Sequence, residues 1–448
     1  MTDRLCEEFY RDRDARTGEY LGSGFVPRKT VAIHVGTAAG CSAVGQHLAL
    51  SMTNLLARVH RRIQFSVSVD PCTFATKTFG TSTTLSDALV DLTRSIDPCG
   101  VFTLGSDPGD INIGVAPDGL VKCDWYVGAD RSLAHLARQK VPVGSEVGSM
   151  RGAALAACLG ASAALKAEVG LPIVPRTLSA WNYAEGDEAD AGPASLDSID
   201  VGRVLMVGAG AVSSALTYWL WQWGVRGEWT ILDADIVKLH NTNRGMLFLP
   251  KHAAWPAGVP ERKSGLLARF LPSSESVPAW YDEAPGILER QFDVVLLLAN
   301  DRNVRHFVSH RNAAVTLQAT TGRNWLSQLH RHVAGRDDCP SCRLDDVKEP
   351  LFSCSTGPTV PGAPGEGNDA ALPFLSAASG LMLATLLQRL QAGVLIETTR
   401  NNWRWDFLSE HQMASGGRSR CIGGCRNRYA QPVRAHVNAG TRWAHLDG

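Results

Sequence analysis

The stretch that decides the fold runs from Arg203 to Arg244, RVLMVGAGAVSSALTYWLWQWGVRGEWTILDADIVKLHNTNR. Val204 to Val207 form an apolar, partly β-branched run, the composition of a parallel strand covered on both faces. Gly208 and Gly210 follow at once. Glycine there lets the chain turn tightly and bring its backbone close to a phosphate at the start of the next helix. A second apolar strand, Trp229 to Leu232, ends on Asp233, and a carboxylate at that strand end can accept hydrogen bonds from ribose hydroxyls. Ser213 stands where the third glycine of the dinucleotide pattern would fall. Taken alone, the unit therefore also fits a strand–helix–strand that binds no nucleotide.

The chain continues with Asp233-Ala-Asp235 and Asn241-Thr-Asn243-Arg244, then Lys263, Asp301, the CPSC of Cys339 and Cys342, Cys354, and the CIGGC of Cys421 and Cys425. In that order these residues resemble the ThiF-type adenylyltransferases, the superfamily of ubiquitin-activating enzymes and of sulfur-carrier activators. The resemblance covers most of 200–430. It implies an α/β fold and a reaction that joins a carboxylate to the α-phosphate of ATP, and it gives roles to residues. Gly208, Gly210, Asp233, Asn241, Arg244 and Lys263 would hold the nucleotide. Lys251 and Arg262 stay open as alternatives to Lys263, because the gap from Arg244 is longer than is usual in the family. Asp301, after the buried run Val294 to Leu298, would hold Mg²⁺ near the phosphates, a cation that takes one carboxylate together with phosphate oxygens and waters.

Both reactants are anionic, so the site must supply positive charge, and the planar fork of Arg244 suits phosphate oxygens. Cys339, Cys342, Cys421 and Cys425 make two pairs with the spacing of a closed tetrahedral Zn²⁺ site; four free thiols are the other reading. Cys354, in LFSCST, resembles the family cysteine that takes the acyl group as a thioester. A thiol near a helix N-terminus or an arginine would have the lowered pKa such a step needs; a dispensable cysteine is the alternative.

Composition sets the outer bounds. At 448 residues the chain has room for two or three domains. It is 44% hydrophobic and 20% charged, with 44 basic and 44 acidic side chains. No global positive field draws nucleic acid or an anionic membrane. The first residues, MTDRLCEEFYRDRD, lack the apolar core of a secretory signal, and no uninterrupted apolar stretch reads as a membrane span. Eleven cysteines without an export signal suggest a reducing cytoplasm, where cysteines bind metal or do chemistry.

The first half echoes the second. Thr30 to Val35 reads as a strand, Gly36 to Gly40 as a degraded glycine turn, Ser42 to Leu56 as a helix, and Phe65 to Val69 as a strand ending on Asp70. Ala129-Asp130-Arg131 with His135 echoes Asn300-Asp301-Arg302 with His306, and the helix of Gly152 to Val169 echoes Leu372 to Leu390. The fold class expected is two Rossmann-like doubly wound repeats. An inactive adenylation-like copy spans 1–182, an acidic linker 183–200, and an active copy 201–430 with a cysteine-bearing insertion at 333–371; a tail follows at 431–448.

Tyr10-Arg11-Asp12-Arg13 resembles the family's N-terminal segment, which lends an arginine to ATP phosphates and so nominates Arg11 and Arg13; a solvated helix is the other reading. The function expected is activation of a ubiquitin-like (β-grasp) protein by adenylation and thioester capture, followed by transfer to a conjugating protein or sulfur donor. The assembly would be a homodimer or an internal pseudodimer. The alternatives are adenylation of a sulfur carrier or peptide without a thioester, and an NAD-dependent oxidoreductase.

Overall fold

The computed structural model describes residues 2–21, 25–70, 77–119, 121–195, 199–300, 304, 313–322, 325–333, 337–338, 372–393 and 400–409. Two seven-stranded sheets carry the chain. The first is built from β1 (Val31–Val35), β2 (Arg62–Val67), β3 (Val101–Leu104), β4 (Ile111–Val115), β5 (Trp125–Asp130), β6 (Leu133–Ala137) and β7 (Arg176–Ser179). The second holds β8 (Ile199–Val207), β9 (Val225–Leu232), β10 (Ser274–Val277), β11 (Phe292–Leu297), β12 (Ala313–Gly322), β13 (Leu326–Val333) and β14 (Asn402–Asp406). The orders are 3-2-1-4-5-6-7 and 10-9-8-11-12-13-14. In both, the first five strands pair in parallel and the last two are added by antiparallel pairings, so that β6 and β13 alone run against the rest of their sheets. The chain therefore folds the same topology twice, as the repeat predicted.

Nine α-helices lie among the described residues: α1 (Asp3–Leu21), α2 (Thr37–Gly40), α3 (Ala43–Leu56), α4 (Leu85–Ile96), α5 (Met150–Val169), α6 (Ala211–Trp223), α7 (Lys263–Ala268), α8 (Pro285–Leu288) and α9 (Pro373–Gln391). Four of them are apolar nearly all round and fill the space between the sheets: α3 and α5 from the first copy, α6 and α9 from the second. One continuous core runs through both copies. Trp219 Nε1 donates to the Ala377 carbonyl at 2.9 Å, and Ser51 and Tyr218 join hydroxyls at 3.2 Å across the copies. The internal pseudodimer is thus packed as one body. By length and composition α5 could cross a membrane, which the sequence reading did not pick out, but it is a core helix packed against α3 and α9.

Two further corrections concern the repeat. Asp130 ends β5, the counterpart of β12, whereas Asp301 follows β11, the counterpart of β4. By strand register the first-copy residues that correspond to 298–301 are therefore 116–119, and Asp118, one position before the counterpart of 301, rather than Asp130 is the acid in that segment. The Asp118 carboxylate accepts from the Thr37 backbone N–H at 2.8 Å and from the Thr37 hydroxyl at 2.5 Å. A Cβ on Gly36 would lie 1.9 Å from the Ala116 oxygen. The first copy's glycine turn is closed against its own loop, and a carboxylate lies where a phosphate would go. The connection at 183–200 is also anchored: Tyr183 is buried and donates to the Met382 carbonyl at 3.0 Å, and Glu185 pairs with Arg176 at 2.6 Å.

Among the described residues Cys6 and Cys99 form a disulfide, with Cα atoms 5.5 Å apart. It ties α1 to the turn after α4, a use of cysteine that the composition argument did not anticipate.

The shared core carries a pH liability. His47 is buried on α3 edge-on to Trp219, with ring centroids 5.7 Å apart, and burial pushes its pKa down to about 3. As pH falls through the ordinary value the unfolded chain takes up a proton that the folded chain refuses, so stability is present above pH 6.5 and is lost on the way down toward 3. At about 1.4 kcal/mol per unit, this one group removes about 2 kcal/mol between pH 6.5 and 5. Urea denaturation at those two pH values should show the gap between wild type and His47→Gln closing by that amount; a gap independent of pH would contradict it. His60 is lowered for the same reason, to about 4, but it has Glu168 at 3.8 Å to share a proton, so it is the weaker contributor.

Candidate functional site

The crevice opens at the carboxyl ends of β8, β9 and β11, where open α/β sheets hold ligands. β8 ends on Val207, and the chain turns at Gly208 with φ +94°. A Cβ there would lie 2.5 Å from the Ala299 nitrogen and 2.9 Å from the Leu298 carbonyl carbon, so only glycine lets β8 and the end of β11 come together. The Ser213 hydroxyl donates to the Gly208 carbonyl at 2.5 Å, fixing from the side the turn that a third glycine fixes elsewhere. Gly210 is the N-cap of α6, and a Cβ on it would meet nothing within 4 Å. Backbone beside the helix N-terminus is thus bare on the crevice side.

Asp233 closes the turn from the next strand. Its two oxygens accept from the Ala209 N–H at 2.6 Å and the Asp235 N–H at 2.8 Å. Burial raises its pKa, against the pull of Lys263 and of these two donors. Lys263, the first residue of α7, puts its ammonium 2.8 Å from Asp235 and its backbone N–H 3.0 Å from the Asp235 carbonyl. Arg262 instead turns to the Ala234 carbonyl at 2.5 Å, and Lys251 is exposed. Of the three basic candidates, Lys263 is the one built into the crevice wall.

Beyond Asp235 the chain makes a one-turn 3-10 helix, Leu239–Asn241. The Asn241 side chain accepts from the Lys238 N–H at 2.9 Å, which shapes the turn that brings Arg244 in, nearly buried. His240 reports the charge here. Its pKa is pushed down to about 3, first by burial and then by Arg16, Arg244, Lys238 and Lys263 around it.

One of those cations comes from the first copy. Phe9, Arg13 and Thr17, at i, i+4 and i+8 of α1, face inward. Phe9 stacks on Trp255 at 4.7 Å, and Thr17 accepts from the Asn243 amide at 2.8 Å. Arg13 is fully buried and pairs with Asp97 at 2.8 Å and Asp14 at 2.6 Å; Arg11 is exposed and pairs with Asp12. Both predicted arginines are engaged away from the crevice. Arg16, on the neighbouring stripe of the helix, is instead among the charges that lower the His240 pKa. The sequence reading did not single out Arg16, Lys238 or His240, although Lys238 and His240 fall within three positions of Asn241.

Asp301, Cys354, Cys339, Cys342, Cys421 and Cys425 lie outside the described residues. Among the described residues no cluster of His, Cys, Asp or Glu could hold a metal ion.

A doubly wound sheet, a glycine turn on a helix N-terminus, an acid on the next strand and a lysine paired beside it define a nucleotide-binding α/β protein. Residues 187–415 match the ThiF family, and the chain belongs to it. Among solved structures it is similar to E. coli MccB with succinimide, at 14% identity and TM-score 0.37 over 50% of this chain and 65% of that one. It is also similar to E. coli MccB with ATP, at 14% identity and TM-score 0.35 over 50% and 66%. A third is the microcin C7 biosynthetic enzyme MccB with N-formylated MccA, at 16% identity and TM-score 0.34 over 50% and 66%. The match spans just under two thirds of those chains. No curated protein matches the sequence.

Proposed function

We propose that the chain is an ATP-dependent adenylyltransferase that activates the C-terminal carboxylate of a ubiquitin-like protein. The observation that carries this is the geometry at the strand ends: the Gly208 turn packed on Ala299, the open Gly210 N-cap of α6, Asp233 held by the Ala209 and Asp235 N–H groups, and Lys263 at 2.8 Å from Asp235. A triphosphate brought to that point meets fixed positive charge and the backbone N–H groups of a helix N-terminus, in a crevice that needs little rearrangement to receive it. A carboxylate oxygen of the carrier attacks the α-phosphorus, the bond from that phosphorus to the bridging oxygen breaks, and pyrophosphate leaves with the electron pair. Arg244 and Lys263 hold the phosphate oxygens as charge shifts onto the leaving group. Magnesium, for which Asp301 is the candidate ligand, would offset further phosphate charge. The Cys354 thiolate then attacks the acyl carbon of the adenylate, the bond from that carbon to the phosphate oxygen breaks and AMP leaves with the electron pair, giving a thioester to be passed to a conjugating protein or sulfur donor.

The test is ATP–pyrophosphate exchange with candidate β-grasp proteins that end in glycine. Exchange that depends on such a carrier supports the reading. Nicotinamide turnover without exchange would replace it with an oxidoreductase. The second step has its own check, in which wild type should form a carrier adduct cleaved by thiol and Cys354→Ala should form none while keeping exchange. A reducible adduct on the Cys354→Ala protein removes the thioester at that residue and leaves adenylation alone.

A further inference from the structure

We infer that Arg58, from the copy whose own crevice is closed, is a positioning residue of the nucleotide site in the other copy. It lies just past the end of α3 and is 1% exposed. Its guanidinium crosses the pseudodimer and donates to the carbonyls of Thr242, Met246 (2.7 Å) and Phe248 (3.0 Å). Its Nε donates to the Asn54 side-chain oxygen at 2.9 Å, and the Asn54 amide donates in turn to the Met246 carbonyl at 3.2 Å. All three carbonyls belong to the loop that carries Arg244. Among the described residues no hydrogen bond of Arg58 goes to a carboxylate. The fork therefore gathers backbone from both sides of Arg244 onto one rigid plane.

Gluing two copies together does not call for this arrangement. An apolar side chain does that as well or better than a buried charge, and the two copies elsewhere share one continuous apolar core. Burial pulls the Arg58 pKa down to about 9, so the group is still charged at neutral pH. What a buried arginine adds is a fixed curvature for residues 242–248, and a positive charge beneath a loop that faces phosphate. This explains why a copy with a closed crevice is retained: it supplies the mould for the working loop.

The inference rests on the adenylation reading, and the experiment separates the two. In the full-length chain, Arg58→Lys keeps the charge but loses the fork, and Arg58→Met keeps the stem alone. Amide hydrogen exchange is measured without nucleotide, ATP affinity by calorimetry, and KM and kcat of exchange separately. For Arg58→Lys, amides of residues 241–249 should exchange at least about tenfold faster while the β8–β9–β11 and β1–β2–β4 ladders keep their protection. The ATP Kd and the KM for ATP should rise about tenfold, with kcat changed less. Wild-type exchange in that loop overturns the inference, and so does loss of protection across both copies together, which is the signature of a purely structural role. If Arg58→Met does not fold, Arg58→Lys alone decides. Wild-type protein that binds no ATP removes the adenylation reading, while exchange in the nucleotide-free protein still decides whether Arg58 sets the loop.

Discussion

Alanine in place of Arg244 is expected to lower kcat/KM for ATP–pyrophosphate exchange by about 10²–10³-fold, the cost of removing one fixed charge donor from a developing anion. In the proposed reaction Arg244 and Lys263 would reach the phosphates from different elements, the loop after the 3-10 turn and the first residue of α7. Lys263 is already shared with Asp235 at 2.8 Å, so it cannot replace the lost guanidinium fully. Arg16→Ala should have the smaller effect, about tenfold, because Arg16 is only half-buried at the rim. The pair also decides how the two copies cooperate. α1 lies against the 3-10 turn of its own chain, with Thr17 bonded to Asn243. Mixing Arg16→Ala and Arg244→Ala chains should therefore restore no exchange. Recovery on mixing would mean that α1 serves a neighbouring molecule, and full activity of Arg244→Ala would end the phosphate role.

How much of this was legible in the sequence follows from the range of each interaction. The β8–Gly208–α6–β9–Asp233 unit is local, and its residue types are dictated by a turn at Gly208 that leaves no room for a Cβ and by strands covered on both faces. It was readable residue by residue. The duplication was readable too, but its register was not. Asp130-Arg131 with His135 matched Asp301-Arg302 with His306 by spacing, while the sheets pair β5 with β12 and β4 with β11 in role. Similar letters fell on different strands. Arg11 and Arg13 were nominated by the family resemblance alone; a charged helix shows no apolar stripe to say which face is inward, and the ion pair with Asp97 that holds Arg13 spans 84 positions. Arg58 left no local trace at all: it follows an apolar helix, and its partners lie more than 180 positions away. The Cys6–Cys99 bond was hidden for the same reason.

Those long-range contacts rest on how the second copy's own helices pack beneath them, and one glycine sets the α6–α9 spacing. Gly380→Ala is expected to destabilise the protein by about 2–3 kcal/mol, because overpacking a helix crossing costs at the upper end of its usual range when backbone must move. A Cβ at Gly380, on α9, would lie 2.5 Å from the Leu216 backbone nitrogen and 2.8 Å from the Ala215 Cβ, on α6. No rotamer relieves a clash with backbone, so the helices must part, and the Trp219–Ala377 hydrogen bond between them must lengthen. Gly160, on α5, is the control. A Cβ there would meet the Met52 sulfur at 2.5 Å and the Val127 Cγ1 at 3.3 Å. Methionine has three rotatable bonds with which to yield, and alanine gains nearly 1 kcal/mol over glycine in helix propensity. Gly160→Ala should therefore fall within about 1 kcal/mol of wild type. Equal urea midpoints for the two variants would show that the α6–α9 crossing is not the controlling contact. If the crossing does control, Gly380→Ala carries a second signature. Parting α6 from α9 shifts α3 relative to the 242–248 loop, so exchange in that loop should quicken along the same course as in Arg58→Lys, with the strands of each sheet still protected.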